Sequence, residues 1–277
     1  MSSFITSDGC PIEYQLHSRA IPKLRRIVLI HSLALDGSIW GRVAPHLIDH
    51  ADILTYDCRG HGRSTVAAVY DRRETDAHRT PLQFTAELFA RDLAELLDHL
   101  EWPNAVVAGC SMGGCVAQAF AGLYPARANS LGLIDTTAWY GEDAPTVWRE
   151  RAAGARAKSL SGLIDFQVTR WFSDRFREAH PDLVTAATKV FLANDLDCYA
   201  ASCILLGDAD LRSFLPSLQV PVEIVVGEED YATPVAAAQT LHEAIRGSRL
   251  TILPGARHLT PIECPGEIAS CLMRLIE

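Results

Sequence analysis

The residues of this chain with the clearest capacity for chemistry lie around a single serine. Ser111 stands in Gly109-Cys110-Ser111-Met112-Gly113, a G-x-S-x-G run preceded by an apolar stretch, Val106 to Ala108, and followed by a helical pattern. A serine on a sharp strand-to-helix turn has a strained backbone and an exposed hydroxyl, and its neighbours two residues away must not clash. Gly109 and Gly113 satisfy that demand because they carry no Cβ. The following helix directs its positive end at the same place. This is the setting of a nucleophile in acyl transfer, which further needs a base, an orienting carboxylate and two N–H donors for the developing oxyanion.

Ten histidines are available as the base. His258 follows the final strand-like stretch in the loop PGARHLTP, and open parallel sheets place their sites at the carboxyl ends of strands. His31 also ends a strand, beside the loop expected to hold an oxyanion donor, and is read as shaping that loop. His46 and His50, four apart, lack the glutamate of a zinc-protease helix and read as a solvated face. His61, in CRGHGRS, reads as structural, and this G-x-G is followed by Thr65 rather than by the third glycine of a dinucleotide-binding loop. Two carboxylates compete for the acid. Asp135 ends SLGLID and Asp230 ends VEIVVGEED; the loop form G-x-x-D-x-x-x-P in GEEDYATP favours Asp230, with Glu228 and Glu229 facing solvent. The order is then Ser111, Asp230, His258. The oxyanion donors expected are the N–H of Met112 and that of Leu33 in HSLAL.

These side chains need a frame. Residues 1–19 read as a hairpin turning near Asp8-Gly9. RIVLIH (26–31) and ADILTYD (51–57) read as strands flanking a helix at 38–49. Residues 64–80 are polar and form an excursion. TPLQFTAELFARDLAELLDHL (80–100) reads as a helix with Thr80 as N-cap and Pro81 in its first turn. SLGLIDT (130–136) is a strand, VPVEIVVGEED (220–230) another, then a helix at 234–246, the strand RLTILPG (249–255) and a helix from 265. Alternating strand and helix predict a mostly parallel sheet with helices on both faces. Residues 139–215 break the alternation with several helices rich in Trp, Phe and Arg. They read as a helical lid over Ser111, leaving core segments 1–138 and 216–277.

Composition bounds the partners. The formal charge is −9, which gives no reason to expect nucleic acid or an anionic membrane. No apolar run reaches membrane-spanning length, and the N-terminus has neither the basic start nor the apolar core of a signal peptide. The eight cysteines form no CxxC pair and read as reduced thiols, which predicts a cytoplasmic protein. The expected partner is a small molecule, and the chain is expected to act as a monomer or homodimer.

The motifs GCSMGG, DCRGHGRS (57–64), GEEDYATP and GARHLTPIECP together resemble the α/β-hydrolase superfamily. Within it, YDCRGHGRS, CSMGG, RWFSDRFREAHPDLV (170–184), CYAASCILLGDADLR (198–212) and ARHLTPIECP are most similar to 3-oxoadipate enol-lactonases. The resemblance implies an α/β-hydrolase fold with its lid inserted after the sixth strand. It also implies lactone opening by a Ser–His–Asp triad in aromatic catabolism, without metal or organic cofactor. Two features depart from that family: the segment IDTTAWYGEDAP, with Trp139 and Tyr140, is bulkier, and the 64–80 excursion is longer. Haloalkane dehalogenases and epoxide hydrolases carry aspartate where Ser111 stands. Carbon–carbon bond hydrolases carry Asn and Trp where this chain has Cys110 and Leu259. A general carboxylesterase, a perhydrolase, a carbon–carbon bond hydrolase despite those two departures, and a triad-retaining ligand receptor remain as alternatives. A substrate carboxylate needs a cation in its pocket. The lid arginines are the candidates, Arg149 and Arg170 above all because each adjoins a tryptophan, and Trp139 and Tyr140 are expected at the lid mouth.

Overall fold

The computed structural model describes residues 2–19, 23, 25–64 and 82–277. Its core is one eight-stranded sheet: β1 (Ser2–Ile5), β2 (Pro11–His17), β3 (Arg26–Ile30), β4 (Asp52–Tyr56), β5 (Ala105–Cys110), β6 (Ala128–Ile134), β7 (Val222–Gly227) and β8 (Arg249–Leu253). The spatial order is β1-β2-β4-β3-β5-β6-β7-β8. The first two strands add antiparallel at one edge, and the remaining pairings are parallel. Strands β4 and β5 are buried along their whole length, as strands covered on both faces must be.

Helices α2 (Ala86–His99), α3 (Met112–Leu123) and α9 (Val235–Ala244) cover one face; α1 (Ala44–Leu47) and α11 (Pro265–Ile276) cover the other. Between β6 and β7 the chain forms α4 (Ala144–Lys158), α5 (Ile164–Trp171), α6 (Asp174–Ala179), α7 (Pro181–Leu192) and α8 (Leu196–Asp208), with α4 packed on α8. The short helix α10 (Thr260–Glu263) precedes α11. The two ends of the helical segment meet: Trp139 and Asp210 form an antiparallel bridge, and Leu211 N–H donates to Ala138 O at 2.9 Å. Among the described residues no single helix is long and apolar enough to cross a membrane.

Two helix expectations need correction. The stretch 38–49 is not one helix but a 3-10 turn (Gly37–Trp40) and the single turn α1. Pro45, in the first turn of α1, lacks an N–H and would clash with the carbonyl one turn earlier, so no helix runs through it. Helix α2 begins at Ala86, not near residue 80. Its cap is Thr85, whose extended backbone lets Oγ1 accept from Leu88 N–H at 3.0 Å. Thr80 and Pro81 lie outside the described residues, as does the 64–80 excursion apart from Ser64.

Candidate active site

Ser111 follows the last residue of β5, and its backbone has φ 55° and ψ −115°. A non-glycine residue there carries strain on the order of 1–3 kcal/mol. The surroundings fix it: Ser111 N–H donates to Ile134 O at 2.9 Å, and Ser111 O accepts from Thr136 Oγ1 at 2.7 Å. The glycine requirement is backbone contact. A Cβ on Gly109 would lie 2.0 Å from Gly113 O, and one on Gly113 would lie 2.3 Å from Ile30 O.

Ser111 Oγ lies 2.9 Å from His258 Nε2, and His258 Nδ1 lies 2.8 Å from Asp230 Oδ2. Because a carboxylate only accepts, Nδ1 carries the imidazole proton and Nε2 is left to take the serine proton. Asp230 Oδ1 also accepts from the N–H groups of Ala232 and Thr233 at 2.7 and 2.9 Å. Burial opposes the charge on Asp230, but His258 and these donors outweigh it and hold its pKa below the ordinary carboxylate value. Burial likewise disfavours imidazolium, yet the Asp230 carboxylate reverses the sign and raises His258 above the ordinary 6.5.

Asp135 takes no part in that chain of bonds. It is fully buried at the end of β6, where Oδ2 accepts from Thr260 N–H and Oγ1 at 3.0 and 2.6 Å and Oδ1 accepts from Gly227 N–H at 3.2 Å. Burial, and then the nearby Asp230 carboxylate, push its pKa well up. His31 lies beneath the other expected donor loop. Its Nδ1–H donates to Ser32 O at 2.7 Å while Nε2 accepts from Cys58 N–H at 2.8 Å, and burial lowers its pKa. His61 is buried beside His31, its ring centroid 5.2 Å away, whereas His46 and His50 are exposed. Glu228 is exposed; Glu229 is half-buried and pairs with Arg257 at 3.3 Å.

A cavity of about 550 Å³ opens above Ser111 and His258, with Ser32 and Leu33 in its lining. Met112 is the first residue of α3, so its N–H has no acceptor one helical turn earlier. The cavity walls are α4 and α5. Ala144, Val147, Trp148, Arg151, Gly154 and Lys158 form one face of α4, and Leu163, Phe166, Gln167, Arg170 and Trp171 form the facing wall; both sets follow helical spacing.

Of the four substrate-contact candidates, Tyr140 and Arg170 line this cavity and Trp139 and Arg149 do not. The Trp139 ring is covered by the Arg212 guanidinium at 3.7 Å, at the bridge that closes the base of the helical segment between β6 and β7. Arg149 points away, and its Nη2 donates to both carboxylate oxygens of Asp208, each at 2.9 Å. Burial, and then the neighbouring Cys115, raise the Tyr140 phenol well above 10, so it stays protonated. Arg170 donates to Tyr231 O at 2.7 Å and lies over the Phe166 ring at 4.7 Å. Burial, and then the charge of Arg151, lower its pKa.

Arg151 and Gln167 were not among the residues favoured from sequence. Arg151 Nε donates to Tyr199 Oη at 2.9 Å, and its guanidinium lies 4.8 Å from the Trp148 ring and 5.8 Å from the Phe166 ring. Among the described residues neither Arg151 nor Arg170 has a carboxylate partner. The Gln167 side chain is 4 % exposed and makes no hydrogen bond among them. The signal for Arg151 was present in the sequence: it is three residues from Trp148 and so shares its face, while Arg149 does not. Among the described residues no group of His, Cys, Asp and Glu is arranged to hold a metal ion.

The fold and the site can be set against known proteins. A family model described as alpha/beta hydrolase fold matches residues 25–265. A 3-oxoadipate enol-lactonase 2 from Acinetobacter baylyi is 31% identical over 86% of this chain and 84% of its own length. A pimeloyl-[acyl-carrier protein] methyl ester esterase from Chromobacterium violaceum is 27% identical over 84% of this chain and 86% of its own. Among solved structures, an enol-lactonase from Burkholderia xenovorans superposes with a TM-score of 0.86 at 30% identity, covering 96% of each chain.

Proposed function

Because the chain belongs to the alpha/beta hydrolase family, we propose that it is a serine hydrolase that opens a lactone or carboxylic ester bearing a free carboxylate, in the manner of an enol-lactonase. One observation carries the reading: Ser111, His258 and Asp230 form a hydrogen-bonded series, at 2.9 and 2.8 Å, with Ser111 and His258 in the cavity lining.

His258 Nε2 takes the Ser111 proton as Oγ attacks the carbonyl carbon, and Asp230 stabilises the imidazolium through Nδ1–H. The tetrahedral oxyanion receives the N–H groups of Met112 and Leu33. Collapse breaks the bond to the ring oxygen, which takes the proton from His258 and, in a lactone, stays tethered to the acyl-enzyme. A water molecule, deprotonated by His258, then attacks the acyl carbon. Ser111 departs with the proton, and the product carries a new carboxylate. The substrate's own carboxylate is held by Arg151 and Arg170, which have no carboxylate partner among the described residues, and by the amide of Gln167. No cofactor takes part. The eight free cysteines, seven of them buried, support a reducing cytoplasmic setting.

The size of the cavity supports a second reading. About 550 Å³ lies within the range of sites for drug-sized ligands and exceeds what a five-membered lactone fills, so a carboxylesterase acting on a bulkier acid uses the same machinery. Fluorophosphonate labelling followed by peptide mass spectrometry tests the shared reading. The adduct is expected on Ser111, with turnover lost in proportion; an adduct elsewhere, or an active Ser111→Ala enzyme, ends it. A panel of enol-lactones, simple lactones and p-nitrophenyl esters then separates the two substrate classes.

A further inference from the structure

A helix leaves its last carbonyls without partners inside the helix. At the end of α5 these partners come from the residues on either side of His258. Arg257 Nη1 donates to Thr169 O at 2.8 Å and to Phe172 O at 3.1 Å. Leu259 N–H donates to Trp171 O at 3.0 Å. On the same turn Arg170 donates to the carbonyl of Tyr231, the residue after Asp230. The Arg257 side chain is 10% exposed, and it also meets Asp174 at 2.9 Å, Glu229 at 3.3 Å and the Tyr231 ring at 5.2 Å. Its own N–H donates to Glu263 Oε2 at 3.1 Å, and the other oxygen of Glu263 accepts from Ser173 Oγ. The same helix reaches the cavity, since α5 supplies Phe166, Gln167, Arg170 and Trp171 to its wall.

We propose that Arg257 is a positioning residue that couples the seating of α5 to the alignment of His258, so that contacts made by a substrate on the α5 wall are expressed in kcat. The inference rests on the serine-hydrolase reading above. A cation at the carboxyl end of a helix is favoured by the helix dipole, and Arg257 completes that end with a group covalently adjacent to the base. Loosening α5 therefore displaces the imidazole. A displacement of about 1 Å at a reacting group costs up to roughly 10²-fold in rate, whereas binding in the cavity draws also on α4, whose Arg151 and Trp148 Arg257 does not touch.

The test is steady-state kinetics of Arg257→Ala and Arg257→Lys on mono-p-nitrophenyl glutarate, with hydrogen exchange on the same proteins. Arg257→Ala is expected to lower kcat by about 10- to 100-fold, with a smaller rise in KM because Arg170 shares α5. Added guanidinium chloride, well below unfolding concentrations, is expected to restore part of the loss, and an equal ionic strength of sodium chloride is not. Exchange should rise together in peptides covering 164–172 and 256–260. A kcat equal to wild type, a loss confined to KM, a loss that guanidinium does not relieve, or faster exchange in α5 alone would overturn the coupling. If Arg257→Ala does not fold, Arg257→Lys carries the same comparison with a smaller fall in kcat and the same paired exchange. Fluorophosphonate labelling of the wild type separates the two ideas. Absence of a Ser111 adduct sinks the hydrolase reading itself. A wild-type adduct with slower labelling of the Arg257 variant supports the coupling.

Discussion

Replacing Arg151 by leucine tests the assignment of the substrate's carboxylate most directly. The Nε of Arg151 is engaged by Tyr199, its guanidinium faces the Trp148 and Phe166 rings, and it lines the cavity. Leucine preserves much of the apolar packing and removes the charge. A hydrogen bond to a charged group contributes about 1.5–3 kcal/mol, which at 1.4 kcal/mol per decade is a factor of roughly 10 to 150. Arg151 is half-buried and Arg170 remains, so the lower half of that range is expected. The assay compares mono-p-nitrophenyl glutarate with p-nitrophenyl valerate, which is close in length, shares the leaving group and lacks the far charge. KM for the glutarate ester should rise about 10- to 40-fold while the valerate ester changes little. Arg149→Leu is the control, since Arg149 is exposed and paired with Asp208, and it should alter neither. Equal losses on the two esters, or a wild type that prefers valerate, would refute the anion assignment and leave a hydrolase of neutral esters.

Three further outcomes follow from the same geometry. Asp230→Asn should cut kcat by roughly 10³–10⁴ with the fold retained, whereas Asp135→Asn should act mainly on the melting temperature because its bonds go to Thr260 and Gly227; the reverse ranking in paired kinetic and thermal assays would move the acid to β6. Since the base must be neutral and His258 is raised above 6.5, kcat/KM should fall as pH drops through a value above 6.5, and a pH-rate profile with its acid limb below 6 would contradict the His258–Asp230 pairing. In stability the signs are opposite: the raised His258 contributes below its ordinary value and is lost as pH rises through the folded one, while the lowered Asp230 contributes above its ordinary 3.8 and is lost on acidification through its folded value. Gly113→Ala forces a Cβ against Ile30 O and should cost about 1–3 kcal/mol, read as a lower thermal midpoint; an unchanged midpoint would mean that the turn relaxes freely.

Ser111, Asp230 and His258 could be picked out because each lies just beyond the carboxyl end of a parallel strand, β5, β7 and β8, and strand ends are visible as apolar runs that stop at polar or glycine-rich loops. The competition between Asp135 and Asp230 was also visible, but only the coordinates decide which carboxylate meets Nδ1. The lid was harder. Adjacency to a tryptophan in sequence does not make an arginine its neighbour in space, and on α4 the residue three positions away shares the face while the one beside it does not. Trp139 looked like a substrate contact because it is large and follows β6; its bridge to Asp210 is a pairing between distant residues with no local signature. The stretch 38–49 departs from a single helix because of Pro45, and the start of α2 departs from Thr80-Pro81 because Thr85 supplies the cap.

The closure of the lid at the Trp139–Asp210 bridge has a consequence for how this protein can change. The segment from 140 to 209 leaves and returns at this bridge, beside the parallel pairing of β6 with β7. For a loop whose ends are already held together, the entropy of closure grows only with the logarithm of its length, about 0.6 kcal/mol per doubling. Helices there can be shortened or lengthened with little cost in closure entropy, provided the side chains that join the common core, Phe172, Phe191 and Tyr199 among them, are matched. A second constraint on such change lies at the carboxyl end of α5, where a replacement must still present carbonyl oxygens to Arg257 and Leu259.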